Sequence, residues 1–362
     1  MSDIVFVGNG RCYHTLDWYR DAKTICYPNK VFLATDLIES EGHIKIVKAD
    51  DNIINLYNID KLLLRKQSRL GNIWRNIVKG FFSPLQAVRL IKIAKNNSIR
   101  IFHAHSTYYM FLCWLARVPF IATPQGSEIL IRPNKSGIYR HFLIKSLLAA
   151  KSITVDSVHM QNKIIQLCGK KAAIIQNGID TKAIMRFAAN SIERKNIISI
   201  RGFHPLYRID EILNARATSL KKPPLLFVYA SWEEGYRAKV AKKYEKGDVD
   251  LGRIAQKTKY YELLFSSLLA ISIPESDSSP RGVYEAIFCG CCVAITKSNW
   301  IDALPSCMRA RLFIVSLEDA LWLDKAIDYA EVIAKEPYRP SELALETYDQ
   351  KKSMEIIVSR LY

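Results

Sequence analysis

The chain has 362 residues, 49% hydrophobic and 24% charged, with 52 Lys+Arg against 35 Asp+Glu and a formal net charge of +17. That length exceeds one ordinary core and suits two α/β domains, and the absence of any apolar run of about eighteen residues argues against a spanning helix. The basic excess is uneven: residues 1–190 hold 27 Lys+Arg and 12 Asp+Glu, the remainder 25 and 23, and no acid lies between Asp60 and Glu128. The opening M-S-D-I-V-F-V-G-N-G enters a strand without the basic start of a secretion signal, so a cytoplasmic location is expected. The eight cysteines offer no metal set. Cys289, Cys291 and Cys292 fall at a helix end and a strand start, where cysteine behaves as a small hydrophobe.

In chain order, the expected strands of a first series are Ile4–Gly8, Val31–Ala34, Ile44–Val47, Ile101–His103, Phe120–Thr123, Ile153–Val155 and Ala173–Ile175. A second series is Ile197–Ile200, Leu225–Tyr229, Leu268–Ile273, Cys292–Ile295 and Leu312–Val315. Continuous apolar strands separated by helical stretches predict parallel sheets covered on both faces. Two series predict two doubly wound, Rossmann-like α/β domains, residues 1–190 and 191–340, joined through Arg186–Asn196. A closing helix over 341–362 is expected to pack back on the first domain. Within the first domain, Lys61–Arg100 carries ten Lys+Arg and no acid, interleaved with Leu62–Leu64, Ile73, Trp74, Ile77, Phe81 and Phe82. Aromatic and aliphatic side chains among cations suit an interfacial helix on an anionic membrane, while a solvated basic face is the plainer alternative. D-V-D at Asp248–Asp250 sits in a Lys/Gly-rich stretch and is expected to be loop rather than a metal–nucleotide motif.

The densest chemistry runs from Ile271 to Thr296, I-S-I-P-E-S-D-S-S-P-R-G-V-Y-E-A-I-F-C-G-C-C-V-A-I-T. It predicts a buried strand, a carboxylate-bearing loop, a helix opening at Pro280 and a second strand. Open α/β sheets bind ligands outside the carboxyl ends of their strands, near the helix N-termini that follow. Glu275, Asp277 and Glu285 there offer acceptors for sugar hydroxyls, and Arg281 and Gly282 offer charge and bare backbone N–H groups for phosphate. Together they suggest a nucleotide-sugar site.

Further segments stand in a meaningful order: V-G-N-G (Val7–Gly10), I-F-H-A-H-S (Ile101–Ser106), I-A-T-P-Q-G-S-E (Ile121–Glu128), I-I-Q-N-G-I-D (Ile174–Asp180) and S-I-R-G-F-H-P-L-Y-R-I-D-E-I-L (Ser199–Leu213). With the E-x7-E-like element from Asp277 to Glu285, the chain resembles retaining glycosyltransferases of family 4 over most of its length. The resemblance implies a GT-B fold, two Rossmann-like domains facing across a cleft. It also implies transfer of a sugar from a UDP- or GDP-linked donor to a saccharide acceptor, often lipid-linked, in surface polysaccharide assembly. Retention of configuration, no metal and no other cofactor belong to the same picture, with the enzyme peripheral at the inner face of the cytoplasmic membrane and no specific nucleic acid as partner.

The same resemblance implies roles for single residues. Arg201 and Arg208 would meet the diphosphate, Arg201 stabilising the leaving charge. Glu285 would accept from the ribose hydroxyls and Asp277 from the donor sugar, with Glu275 able to compensate. Asn9 and Gly10 would approach the diphosphate from the first domain, and Gln125 and Glu128 would lie on the acceptor side. His103 and His105 are expected to diverge, leaving His105, further toward the ligand-facing end, to join Arg201, Asp277 and Glu285 as catalytic candidates. Three features depart from the family pattern: Asp277 stands where a glutamate is usual, Gln125 where many members have a histidine on the transferred sugar, and the family's Arg–Lys pair appears as Arg201 and Arg208 at a wider spacing. Competing readings are a GT-B nucleotide-sugar epimerase, or a basic nucleic-acid- or membrane-binding protein without activity.

Overall fold

The computed structural model describes residues 3–38, 47–48, 51–63, 69–95, 99–187 and 193–362, apart from the side chains of Arg69, Asn72 and Arg100. Among these, the first sheet comprises β1 (Asp3–Val7), β2 (Val31–Thr35), β3 (Asn52–Asn55), β4 (Ile99–His105), β5 (Phe120–Thr123), β6 (Ser152–Val155) and β7 (Ala173–Ile174), in the order β3-β2-β1-β4-β5-β6-β7. The second comprises β8 (Asn196–Ser199), β9 (Leu225–Val228), β10 (Val249–Gly252), β11 (Ser267–Ser272), β12 (Cys292–Thr296) and β13 (Leu312–Val315), in the order β10-β9-β8-β11-β12-β13. The paired strands are parallel. Both sheets are therefore doubly wound, and their order reverses between β1 and β4 and between β8 and β11. Such reversal points leave a crevice at the carboxyl ends of the strands, where open α/β sheets bind ligands.

The helices that bear on function are α1 (Tyr13–Ile25), α2 (Arg69–Ala94), α3 (Thr107–Leu115), α4 (Gly126–Leu130), α5 (Ile209–Thr218), α6 (Lys257–Phe265), α7 (Arg281–Phe288) and α8 (Gln350–Leu361). The chain divides into two compact units, 1–177 with 350–362, and 178–349. The division thus falls before the Arg186–Asn196 stretch, and α8 counts with the first unit.

Strand alternation sorts the core of each unit into two layers. In the first unit, Val5, Val7, Phe102 and Ala104 pack with Tyr109 and Met110. Ile4, Phe6 and Ile101 turn to the opposite face, against Leu16 and Trp18 of α1 and Met354 and Ile357 of α8. In the second unit, Ile197, Leu269, Ile271 and Ala294 form one layer; Ile198, Ala270, Val293 and Ile295 form the other. Cys289, Cys291 and Cys292 are free and buried in these layers.

Two features differ from the sequence expectation. β3 and β10 are edge strands, half exposed along their length, so neither shows the continuous apolar run of a central strand. Val249 and Asp250 of the D-V-D triplet therefore belong to a strand rather than a loop. The expected strand Ile44–Val47 lies, but for Val47, outside the described residues, as do Leu64, Arg65 and Lys66 of the basic segment.

α2 has two apolar faces. Val78, Ala87 and Leu90 are buried, while Leu70, Ile73, Trp74, Ile77, Phe81, Leu85, Val88 and Ile91 are exposed at helical spacings. A surface helix ordinarily turns polar residues to solvent. Among the described residues no helix is long and apolar enough to cross a membrane.

Candidate functional site

In the second unit the site grows from the ends of β8 and β11. Arg201 lies two residues beyond β8, and its Nε donates to Ser272 Oγ, the last residue of β11, at 2.6 Å. The guanidinium also forms an ion pair with Asp277, and the two side chains are 14% and 19% exposed. Its other neighbour is the Tyr207 ring, 5.5 Å from the guanidinium carbon to the ring centroid. Arg201 is thus fixed in direction at the reversal point, with charge still reachable. The next residue has to be glycine: a Cβ on Gly202 would stand 2.9 Å from the Ser231 carbonyl oxygen and 3.0 Å from its Oγ. That close approach lets Phe203 N–H donate to Ser231 C=O at 3.0 Å, joining the loops after β8 and β9.

Arg208 precedes α5 with φ 53 and ψ 43, a left-handed conformation that costs an L-residue about 1–2 kcal/mol. It lines a recess of about 420 Å³ with Asp210, Glu211, Tyr236 and Glu275. Glu275 N–H donates to Leu206 C=O at 2.9 Å, so the loops carrying Arg208 and Glu275 are tied together. A smaller recess is lined by Arg201, Ser272, Glu275, Asp277, Lys297 and Trp300. The structure therefore gathers Arg201, Arg208, Glu275 and Asp277. It adds Lys297, just past β12, which the sequence reading missed although it too follows a strand end.

Glu285 lies on α7, 5% exposed and facing α6. Its Oε1 is ion-paired with Lys257, and Tyr261 Oη lies 3.5 Å from the same oxygen. Burial, reinforced by the Glu285 charge, raises the pKa of the Tyr260 and Tyr261 phenols, keeping both as donors. Arg281 and Gly282 open the same helix. A Cβ on Gly282 would meet only Ile200 Cδ1 at 3.7 Å and Tyr260 Oη at 3.9 Å, so protein packing alone does not require glycine there.

In the first unit, the loop after β1 is locked in place. Asn9 Oδ1 accepts from Arg11 N–H at 2.9 Å, and Gly10 N–H donates to Thr35 Oγ1 at 2.9 Å. Just before them, a Cβ on Gly8 would lie 2.4 Å from Thr15 Cγ2, so glycine lets α1 approach the strand end. The histidines require a correction. His103 and His105 do not diverge; two residues apart on β4 they share a face with Ile101, as strand periodicity demands, and both rings contact Trp18. His105 is 3% exposed, with Nδ1 2.8 Å from Thr15 Oγ1. Burial, then the neighbouring His103 and His14, pushes its pKa well below the ordinary value. His103 bridges Tyr362 Oη (2.5 Å) and Thr123 Oγ1 (2.7 Å), and burial lowers its pKa to about 3.

Glu128 is engaged as a cap: its Oε2 accepts from Thr107 N–H (2.9 Å) and Gln125 N–H (3.0 Å), anchoring the starts of α3 and α4. Gln125 Nε2 points to Cys12 Sγ at 3.8 Å.

Two further features had no sequence signal. Ser106, directly after His105, has φ 81 and ψ 155, a region that glycine alone enters readily and one that marks functional sites when strained. Asp36, just past β2, accepts from Tyr109 Oη at 2.5 Å and faces Lys79 Nζ at 3.7 Å. Lys79 lies 3.8 Å from the Tyr108 ring centroid, and burial lowers its pKa in spite of Asp36. Among the described residues no group of three His, Cys, Asp or Glu side chains is placed to hold a metal ion.

Residues 66–183 match the family model Glycosyltransferase Family 4, less than half of the chain. No curated protein matches the sequence. Among solved structures, Anabaena HepE in complex with UDP superposes with a TM-score of 0.71 at 14% identity, covering 99% of each chain. The same protein with UDP-glucose gives 0.71 at 14%, covering 100% of this chain and 99% of that one. Sucrose-phosphate synthase from Thermosynechococcus elongatus gives 0.72 at 13%, covering 99% and 98%. At such identities the likeness speaks to the fold, which is GT-B. A glycosyltransferase-family segment within a GT-B fold is the architecture of a transferase.

Proposed function

We propose that the protein transfers a sugar from a nucleotide-linked donor, UDP or GDP, to a saccharide acceptor, retaining anomeric configuration and using no metal. The observation that carries this reading is Arg201, held by Ser272 and Asp277 at the reversal point of the second sheet. Breaking a glycosyl–phosphate bond leaves negative charge on the diphosphate. A guanidinium already oriented there stabilises that charge without reorganising solvent. Arg208 and Lys297 supply further positive charge in the adjoining recesses. Glu285 offers a carboxylate suited to the vicinal ribose hydroxyls, and Asp277 one for the donor sugar. With retention, the acceptor hydroxyl approaches the face the nucleotide leaves, and the leaving phosphate oxygen takes its proton. Asn9, Gly10, Gln125 and Glu128 are the first-unit residues proposed toward the diphosphate and the acceptor.

The acceptor class we propose is a lipid-linked saccharide, in surface polysaccharide assembly at an anionic membrane. The outward apolar face of α2 supports this, because Arg75, Arg89, Lys92 and Lys95 accompany it and no acid does. An anionic bilayer surface satisfies both characters at once. A second copy of the chain would instead set cation against cation.

The test is thermal stabilisation by UDP, GDP, ADP and CMP, on the wild type and on Glu285→Ala. A specific nucleotide at a hundredfold excess over its Kd raises stability by about 2.7 kcal/mol. One nucleotide acting on the wild type and lost in the variant is the expected result; no stabilisation by any of them refutes the donor site.

A further inference from the structure

The ion pair between Lys257 and Glu285 has no place in the reading above. Lys257 is the first residue of α6, and its ammonium reaches across to Oε1 of Glu285 on α7. The two ends of the pair differ: the Glu285 side chain is 6% exposed and that of Lys257 58%. Tyr261 Oη, 3.5 Å away, addresses the same carboxylate oxygen from the next turn of α6. A nearly buried carboxylate held through one oxygen has its plane fixed, and Oε2 is not part of the grip. Of the other titratable groups on these helices, Arg281 lies one turn before Glu285 and its charge acts on Tyr261, while Tyr260 and Cys289 are kept protonated by burial.

We infer that Lys257 is a positioning residue for the donor nucleotide: by gripping Oε1 it orients the Glu285 carboxylate so that the ribose hydroxyl pair is read in one geometry. This rests on the reading of Glu285 as the ribose acceptor. A purely structural role makes its own forecast: losing Lys257 leaves a nearly buried carboxylate unpaired and lowers the melting temperature, without changing how ribose is read. A simple attraction of phosphate by the ammonium is the serious alternative, and it makes a different forecast. Positioning affects recognition of the ribose, whereas phosphate attraction is blind to it.

The experiment compares Kd values, by calorimetry, for UDP and GDP and for their 2′-deoxy counterparts, on the wild type, Lys257→Met, Lys257→Arg and Glu285→Gln. Melting temperatures verify that each variant is folded. The wild type is expected to bind one ribonucleotide about tenfold more tightly than its deoxy form, the equivalent of about 1.4 kcal/mol. Lys257→Met is expected to weaken the ribonucleotide alone and bring the ratio toward one, with Lys257→Arg restoring it. Equal weakening of both forms, or an unchanged ratio, overturns the inference while leaving the donor site standing. If Glu285→Gln itself leaves the ratio untouched, or no nucleotide binds the wild type, the underlying donor-site reading fails instead.

Discussion

Replacing Phe81 and Ile77 with glutamine interrogates the outward face of α2 without touching its cations. Phe81 is 75% exposed and Ile77 57%. A Phe side chain offers roughly 200 Å², so about 150 Å² of Phe81 is free to enter a bilayer interface. At about 25 cal/mol/Å² full insertion would give on the order of 3–4 kcal/mol, and half insertion about 2. Ile77, smaller and less exposed, adds about 1 kcal/mol on the same basis. Together the two substitutions should weaken binding to vesicles by about 3 kcal/mol, roughly a hundredfold. The fold should be indifferent, since both positions face solvent and glutamine is a good helix former. The assay is sedimentation with phosphatidylglycerol vesicles and with phosphatidylcholine vesicles, at low and moderate salt. Salt should weaken the wild type's binding to the anionic vesicles, because exposed charges are screened beyond about 10 Å at 0.1 M. If the double variant binds anionic vesicles as tightly as the wild type, the apolar face is not the contact and the reasoning fails.

Arg201→Lys removes the planar fork that meets Ser272 and Asp277 together, and nucleotide affinity should fall by about tenfold or more with little change in Tm; unaltered affinity in calorimetry would remove Arg201 from the donor site. Glu128→Ala strands the N–H groups of Thr107 and Gln125, which should cost about 2 kcal/mol or more, while Glu128→Gln keeps an acceptor and recovers part of it. An unchanged Tm in Glu128→Ala, with a raised acceptor KM, would mean that Glu128 serves the acceptor rather than the fold. His103 gives a pH dependence of definite sign. Its pKa falls from 6.5 to about 3 on folding, so the folded state favours the neutral ring. Its contribution is complete above about pH 6.5 and is lost as pH falls toward 3, about 2 kcal/mol being gone by pH 5. Thermal melts between pH 7 and 4 should be steeper for the wild type than for His103→Gln, and coincident slopes would contradict the burial argument.

The central strands were legible because burial on both faces leaves a continuous apolar run: Phe120–Thr123 coincides with β5, and Cys292–Ile295 falls within β12. The edge strands β3 and β10 were not, since an exposed edge has no reason to be apolar throughout. Of the second unit's candidate site, Glu275, Asp277, Arg281 and Glu285 could be named from sequence because they share one strand–loop–helix passage. Lys257 belongs with them only through the packing of α6 on α7, a proximity no local pattern encodes. Lys79 and Asp36 likewise come from separate elements, and the backbone of Ser106 carries strain that its residue type conceals. The histidine pair was misread on periodicity itself: neighbours two apart on a strand look the same way.

The second unit is one unbroken stretch of chain, whereas the first closes only when residues 350–362 join it. α8 supplies Met354, Ile357 and Val358 to the layer that covers Leu16, Trp18 and Tyr19 of α1. A chain emerging from the ribosome in sequence order thus begins one unit, completes the other, and only then returns to finish the first. Until α8 emerges, the apolar side of α1 lacks its cover and is open to chaperones or proteases. A released chain ending at Asp349 should therefore hold a protease-resistant second unit beside an α1 that is still cut.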